Sequence, residues 1–167
     1  MKHRTIKALV LAVALMVPST TAQARTYVDD STPIEIQISC NKWGEVYNIC
    51  PELLEAICYH ESRFNEGVTD STGSCVGLMQ IKASCHKGRM IELGATDLKD
   101  IDDNIHVGAD YLAELFADYE DVGIVLGLYH GESNAVERAK RGQLSDYVTE
   151  ILEMSYELEE QHGKHNY

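Results

Sequence analysis

Residues 51–62 read Pro-Glu-Leu-Leu-Glu-Ala-Ile-Cys-Tyr-His-Glu-Ser, and the spacing of those residues decides what kind of domain this chain builds. Pro51 suits the first position of a helix, where its missing N–H would have no partner in any case. Glu52 and Glu55 follow near the positive end of the helix dipole, and Leu54, Ile57 and Cys58 recur at helical spacing. The pattern predicts a helix over 51–62. Glu61 stands seven, four and three residues beyond Leu54, Ile57 and Cys58, so its carboxyl shares their inward face. It also lies in the last turn, at the negative end of the dipole. Burial and dipole both oppose ionisation, and a carboxyl that keeps its proton until a substrate takes it is what general acid catalysis requires. A solvated glutamate on a frayed helix end is the plainer alternative.

Working outward, glycine and small polar residues recur from Asn65 to about Asp100, which predicts loops, short strands and brief helical turns; only 76–81 is strongly apolar there. Asp102 or Asp103 is expected to cap the next helix, with Ile105, Gly108, Ala109, Leu112, Leu115, Phe116 and Tyr119 on one face and an end near Tyr119. The stretch 122–129 is apolar on nearly every side and reads as a buried helix stopped by Gly131. Ser133 and Ser145 are expected to cap two more helices, the second turning Val148, Ile151, Leu152 and Leu158 inward. Before Pro51 the reading divides. Thr32 and Pro33 suit a helix start, yet Ile34, Ile36 and Ile38 alternate as in a strand while Ile38, Trp43, Val46 and Tyr47 recur at helical spacing. The sum is a mostly α domain, of α+β kind, with at most a small sheet.

The first 24 residues have the form of an export signal: Lys2, Arg4 and Lys7, an apolar run from Ala8 to Val17, and Ala22-Gln23-Ala24. That run is about 10 residues, half of what spans a bilayer, so no membrane insertion is expected after cleavage. Residues 25–31 read as a short tether and 32–162 as one domain. Loss of the leader removes three of the 14 basic residues and none of the 27 acids, leaving a net charge of about −16. Nucleic acid is therefore not an expected partner.

Five cysteines in an exported chain predict disulfides with one thiol left over. Two bridges are expected; Cys40 with Cys50 and Cys75 with Cys85 are sequence-local pairings, Cys58 with Cys75 competes, and spacing does not choose. No CxxC or HxxxH spacing suggests zinc, and no metal or cofactor is expected.

Four blocks stand in order: Glu61-Ser62-Arg63-Phe64-Asn65; Gly77-Leu78-Met79-Gln80-Ile81; Asn104-Ile105 with Gly108 and Tyr111-Leu112; and Tyr129-His130-Gly131. With them the chain resembles the catalytic domain of the soluble lytic transglycosylases, a family related to goose-type lysozymes, over roughly Pro51 to Tyr129 and more weakly on to about Leu152. The resemblance implies a lysozyme-like helical domain whose irregular loop or small-sheet insertion flanks a substrate cleft. It makes Glu61 the catalytic acid/base and Gln80 a hydrogen-bonding contact to a bound sugar. Tyr129 would lie near the Glu61 carboxyl and Ser71 near the substrate's N-acetyl group, with Ser62, Met79 and His130 also in contact with substrate. Two departures stand out. The glycine expected three residues before Gly77 is Ser74, with Gly73 displaced by one, and the family's Tyr-Asn-Ala-Gly block reads Tyr129-His130-Gly131. Tyr111 is read as a core aromatic with a polar tip.

The implied partner is the glycan strand of peptidoglycan, cleaved by a monomer; a secretion or conjugation apparatus is a further candidate partner. Most glycosidases use two carboxyls, whereas the blocks supply one. The resemblance implies intramolecular chemistry that leaves an anhydro sugar. A hydrolytic lysozyme, with Asp70 or Asp97 activating water, is the rival enzyme. A glycan-binding module without activity and a purely structural exported domain are the other readings. The basic cluster Arg138, Lys140 and Arg141 and the acidic run Glu157, Glu159 and Glu160 are read as solvated helix faces.

Overall fold

A computed structural model describes residues 32–163; the expected leader and tether fall outside the described residues. Seven helices and a two-stranded sheet follow in the order α1 (Ile34–Tyr47), α2 (Pro51–Ser62), β1 (Cys75–Val76), β2 (Ile81–Lys82), α3 (Ala83–Leu93), α4 (Ile101–Asp118), α5 (Val122–Tyr129), α6 (Ala135–Lys140) and α7 (Asp146–Gln161). The architecture is mostly helical with one small antiparallel hairpin, in register Cys75 with Lys82 and Val76 with Ile81.

Helix α2 is the centre of the molecule, packed against α1 on one side and α7 on the other, while α4 packs on α1 and α5. Enclosure explains why Leu53, Leu54, Ala56, Ile57 and Cys58 are all buried. It also buries two carboxyls: Glu52 and Glu55, in the first turns of the helix near the positive end of its dipole, are both only 1% exposed. Glu52 is satisfied inside the fold by His162 Nδ1 at 2.8 Å and the Cys50 thiol at 3.1 Å, as a buried carboxylate must be.

The ambiguous segment before Pro51 is helical. Its cap is Pro33 with no side-chain bond, one residue later than expected, and the Thr32 hydroxyl is buried with no hydrogen-bond partner among the described residues. The strand-like alternation fails because Ile34 and Ile38 point outward while Ile36 and Cys40 are buried, a helical and not a pleated pattern. Helix α4 is capped by Asp100, which accepts from the Asp103 N–H, and not by Asp102 or Asp103. Ser145 caps α7 as expected. The cap of α6 is Asn134 and not Ser133.

The largest miss is α3, eleven residues of helix within a region read as loops and brief turns. None of its residues is buried, so it carries no apolar stripe for periodicity to detect. It is held from outside: Arg89 pairs with Asp110 and with Glu114 on α4, and Met90 and Leu93 lean on the core.

The expected disulfides are absent: Cys40, Cys50, Cys58, Cys75 and Cys85 are all free thiols. Cys40 faces inward from α1 and meets the Cys58 thiol on α2. Cys50, at the start of α2, turns toward Glu52 and Glu159. The sequence-local pair Cys40 and Cys50 therefore point at different partners. Among the described residues no helix is long and apolar enough to cross a membrane.

Candidate active site

Glu61 sits in the last turn of α2, half-buried, just before the helix is ended by Arg63 and Phe64, both in the left-handed region at φ 53° and 61°. Arg63 lies over the Tyr59 ring at 4.4 Å, an attraction that offsets part of the cost of that conformation. The abrupt stop leaves Glu61 at a helix terminus with its carboxyl turned toward α7. There Tyr147 donates a hydrogen bond from its hydroxyl to Glu61 Oε1 at 2.8 Å. The surroundings of the carboxyl are therefore not purely apolar. A phenol holds one oxygen, and burial first, with the Glu61 charge second, pushes that phenol's own ionisation far upward. That direction favours the neutral phenol, the form that donates to Glu61.

Two histidines flank the Tyr147 ring. His130 lies flat on it, with ring centres 3.9 Å apart and planes 3° from parallel, and His60 meets it edge-on at 4.9 Å and 83°. Each is tethered to a carboxylate, His60 Nε2 to Glu150 at 3.1 Å and His130 Nδ1 to Glu132 at 3.4 Å.

On the other side of Glu61 stands the hairpin and its turn. Glu61 lies within electrostatic reach of Cys75 on β1 and of Tyr129 on α5, whose phenol ionisation is pushed upward by burial first and the Glu61 charge second. Tyr129 does not bond Glu61; its hydroxyl donates to the Met79 carbonyl at 2.8 Å, so it fixes the turn of the hairpin. That turn is anchored again by Asn104 on α4, fully buried. Its Oδ1 accepts from the Met79 N–H at 2.8 Å, and its Nδ2 donates to the carbonyls of Val76 and Leu98 at 2.9 and 2.7 Å. Gly77, at φ 77°, is needed for close approach: a Cβ there would lie 2.2 Å from the Leu98 carbonyl oxygen and 2.3 Å from Asn104 Nδ2. Gly108 does the same for Met79, whose sulfur would be 2.4 Å from an added Cβ.

The other residues named from the sequence are placed as follows. Gln80 has φ 48°, and its side-chain amide donates to the Gly77 carbonyl at 2.9 Å, so it braces its own turn. Met79 is 1% exposed, its side chain against α4. Ser62 is buried, with its hydroxyl on the Cys58 carbonyl at 2.8 Å. Ser71 is exposed on the preceding loop. Of the two carboxylates considered for activating water, Asp70 has both oxygens engaged. Oδ1 accepts from the N–H groups of Ser74 and Cys75, and Oδ2 from the Thr72 hydroxyl. Asp97 accepts from the Lys99 N–H at the entry to α4.

Sequence reasoning missed Tyr147, His60 and Glu150. Tyr147 belongs to the inward stripe of α7 beside Val148 and Ile151, but its bond partner is 86 residues away, and no local signal marks that. An open concavity of about 500 Å³ lined by Glu35, Ile38, Glu66, Lys99, Asp100 and Ile101 shares no residue with the Glu61 cluster.

A helical domain with a lone hairpin insertion, and one carboxyl delivered by the end of its central helix, defines a lysozyme-like fold. The family follows directly: the chain belongs to the transglycosylase SLT domain family, whose sequence model matches residues 39–147, taking in α2, the hairpin and Tyr147. It is similar to a transglycosylase of Enterobacteria phage PRD1, 36% identical over 88 residues, which are 53% of this chain and 31% of that protein. It is also similar to an endo-type membrane-bound lytic murein transglycosylase A of Citrobacter koseri, 38% identical over 81 residues, 44% of this chain and 39% of that protein. An X polypeptide of Escherichia coli is 32% identical over 114 residues, 65% of this chain and 66% of its own length. The chain thus spans between 31% and 39% of the first two relatives.

Proposed function

We propose that the chain is an exported lytic transglycosylase that cleaves the β-1,4 bond between N-acetylmuramic acid and N-acetylglucosamine in peptidoglycan, with Glu61 as its single acid/base. The observation that carries this reading is the Glu61 carboxyl held by Tyr147 at the end of a buried helix, in a chain of this family, while both oxygens of Asp70 are engaged elsewhere. Glu61 gives its proton to the bridging oxygen as the bond to the muramic anomeric carbon breaks. The same group, now a carboxylate, takes the proton of the muramic 6-hydroxyl as that oxygen attacks the anomeric carbon. The product is a 1,6-anhydro end, and no water enters. An intramolecular nucleophile benefits from high effective concentration when the ring is held in attack geometry.

In this reading Tyr147 aims the carboxyl, Tyr129 and Asn104 fix the hairpin turn, and Gln80 and the turn's backbone face the sugar, with Ser71 near the N-acetyl group and His130 at the open edge. Ser62 and Met79 contribute by supporting these elements. Wall-localised action fits a relative named as a lytic murein transglycosylase, and the periplasm or wall is the corresponding destination. The phage relative makes local wall opening for a transfer or secretion apparatus a consistent context.

The test is digestion of purified sacculi by the wild type and by Glu61→Gln, with mass spectrometry of the products. We expect the wild type to release fragments one water lighter than reducing ends, and the variant to lose about 10³-fold in rate, within the range for a lost general acid. Reducing ends instead would turn the assignment to hydrolysis. A fully active variant would remove it.

A further inference from the structure

We infer that His130 is a positioning residue for the acid/base, acting through Tyr147: its imidazole lies flat on the phenol ring and fixes the line along which the Tyr147 hydroxyl meets Glu61. The inference rests on the proposed role of Glu61 and deepens it.

The geometry closes around one ring. Tyr147 reaches Glu61 from α7 by its terminal hydroxyl, so a displacement of the ring along its own normal carries the oxygen away from the carboxylate. His130, from the end of α5, covers one face with planes 3° from parallel and blocks that displacement. His60, beside Glu61 on α2, meets the ring near perpendicular and limits sliding in the plane. The two supports are themselves restrained. His60 bonds Glu150, which is three residues along α7 from Tyr147, so α2 and α7 are tied at the level of the carboxyl. His130 bonds Glu132 across the bend at Gly131, where φ is 90°. Three side chains, Glu61 and His60 from α2 and His130 from the end of α5, thus hold the α7 phenol.

A parallel aromatic pair favours a defined geometry beyond simple burial, and an acid displaced by about 1 Å forfeits up to ~100-fold in rate. The stacking requires a flat ring and not a titrating one, which sets the test. Because His130 is half-exposed, with 48% of its side chain accessible, its truncation should leave the fold intact, and melting temperature serves as the check.

Steady-state turnover of a soluble peptidoglycan glycan would be measured for His130→Ala, His130→Phe, Tyr147→Phe and the double variant His130→Ala/Tyr147→Phe. His130→Ala is expected to lower kcat by roughly threefold to tenfold with KM within twofold. His130→Phe is expected to restore most of that loss, since it keeps the stack. In the Tyr147→Phe background, where no hydroxyl remains to aim, His130→Ala is expected to have little further effect. A rise in KM alone would make His130 a sugar contact and overturn the inference. So would a failure of phenylalanine to rescue, or full additivity with Tyr147→Phe. Activity in Glu61→Gln would sink the underlying assignment instead, and the two failures are told apart by that variant alone.

Discussion

The two sides of the Glu61 site are built on different principles. The hairpin side is wired through backbone: Gly77 admits a close approach, Asn104 pairs with one N–H and two carbonyls, Tyr129 holds the Met79 carbonyl, and Gln80 folds back on its own turn. The helical side is wired through side chains: Glu61, Tyr147, His60, His130 and their carboxylates, contributed by α2, α7 and the loop after α5. Backbone wiring makes a rigid platform whose failure is a failure of folding. Side-chain wiring makes an adjustable assembly whose failure is a failure of rate. The contrast predicts that substitutions on the two sides separate into losses of stability and losses of turnover.

The largest effect belongs to the platform. Gly77→Ala combines a left-handed backbone with a Cβ 2.2 Å from a carbonyl oxygen, and backbone cannot swing aside as a side-chain tip can. We expect a loss of about 3 to 5 kcal/mol, read as a lower urea midpoint at unchanged slope. A drop below ~1 kcal/mol would mean the turn is pliable, and the contrast would break at its firmest point.

Tyr147→Phe tests the other side. It removes one hydrogen bond and no packing, so global stability should fall by no more than about 1.5 kcal/mol while kcat falls roughly tenfold. Equal loss of stability and no loss of kcat would place Tyr147 with the platform.

What could be read from sequence follows separation along the chain on both sides. The platform's turn is one continuous apolar run with its glycine, but the Asn104 and Tyr129 bonds that anchor it come from 25 and 50 residues away; on the helical side, Pro51–Ser62 carries its own start signal and a regular stripe, so its span and Glu61's position on it were legible. Helix α5 was legible for the same reason, being apolar throughout. The side-chain assembly was not. Tyr147 looks like any inward residue of α7, and only the packing of α7 on α2 brings its hydroxyl to the acid. Helix α3 was invisible because its docking rests on Arg89 pairing with α4 and not on an apolar stripe. The burial of Glu52 was not legible because dipole logic sees one helix at a time, while that burial comes from the helices around it.

The smallest expected effect sharpens the comparison at its margin. Asp70 lies on the platform side but works by side chain, drawing the N–H groups of Ser74 and Cys75 and the Thr72 hydroxyl onto one carboxylate. The Thr72 hydroxyl, followed by the Cys75 N–H, holds its pKa below the ordinary value of 3.8. A carboxylate with a depressed folded-state pKa contributes stability that is complete above the unfolded value and is lost as pH falls through the folded one. The loop should therefore be fully tied above about pH 4 and should loosen progressively below it. Because Asp70 is only partly buried, screening keeps the effect local. It should appear as falling protection of the Ser74 and Cys75 amides against hydrogen exchange, with the global midpoint little changed. Asp70→Asn cannot titrate, so its protection factors should be flat through the same acid range. If wild type and variant fall together, the acid sensitivity lies in other carboxylates, and this loop belongs wholly to the backbone-wired side.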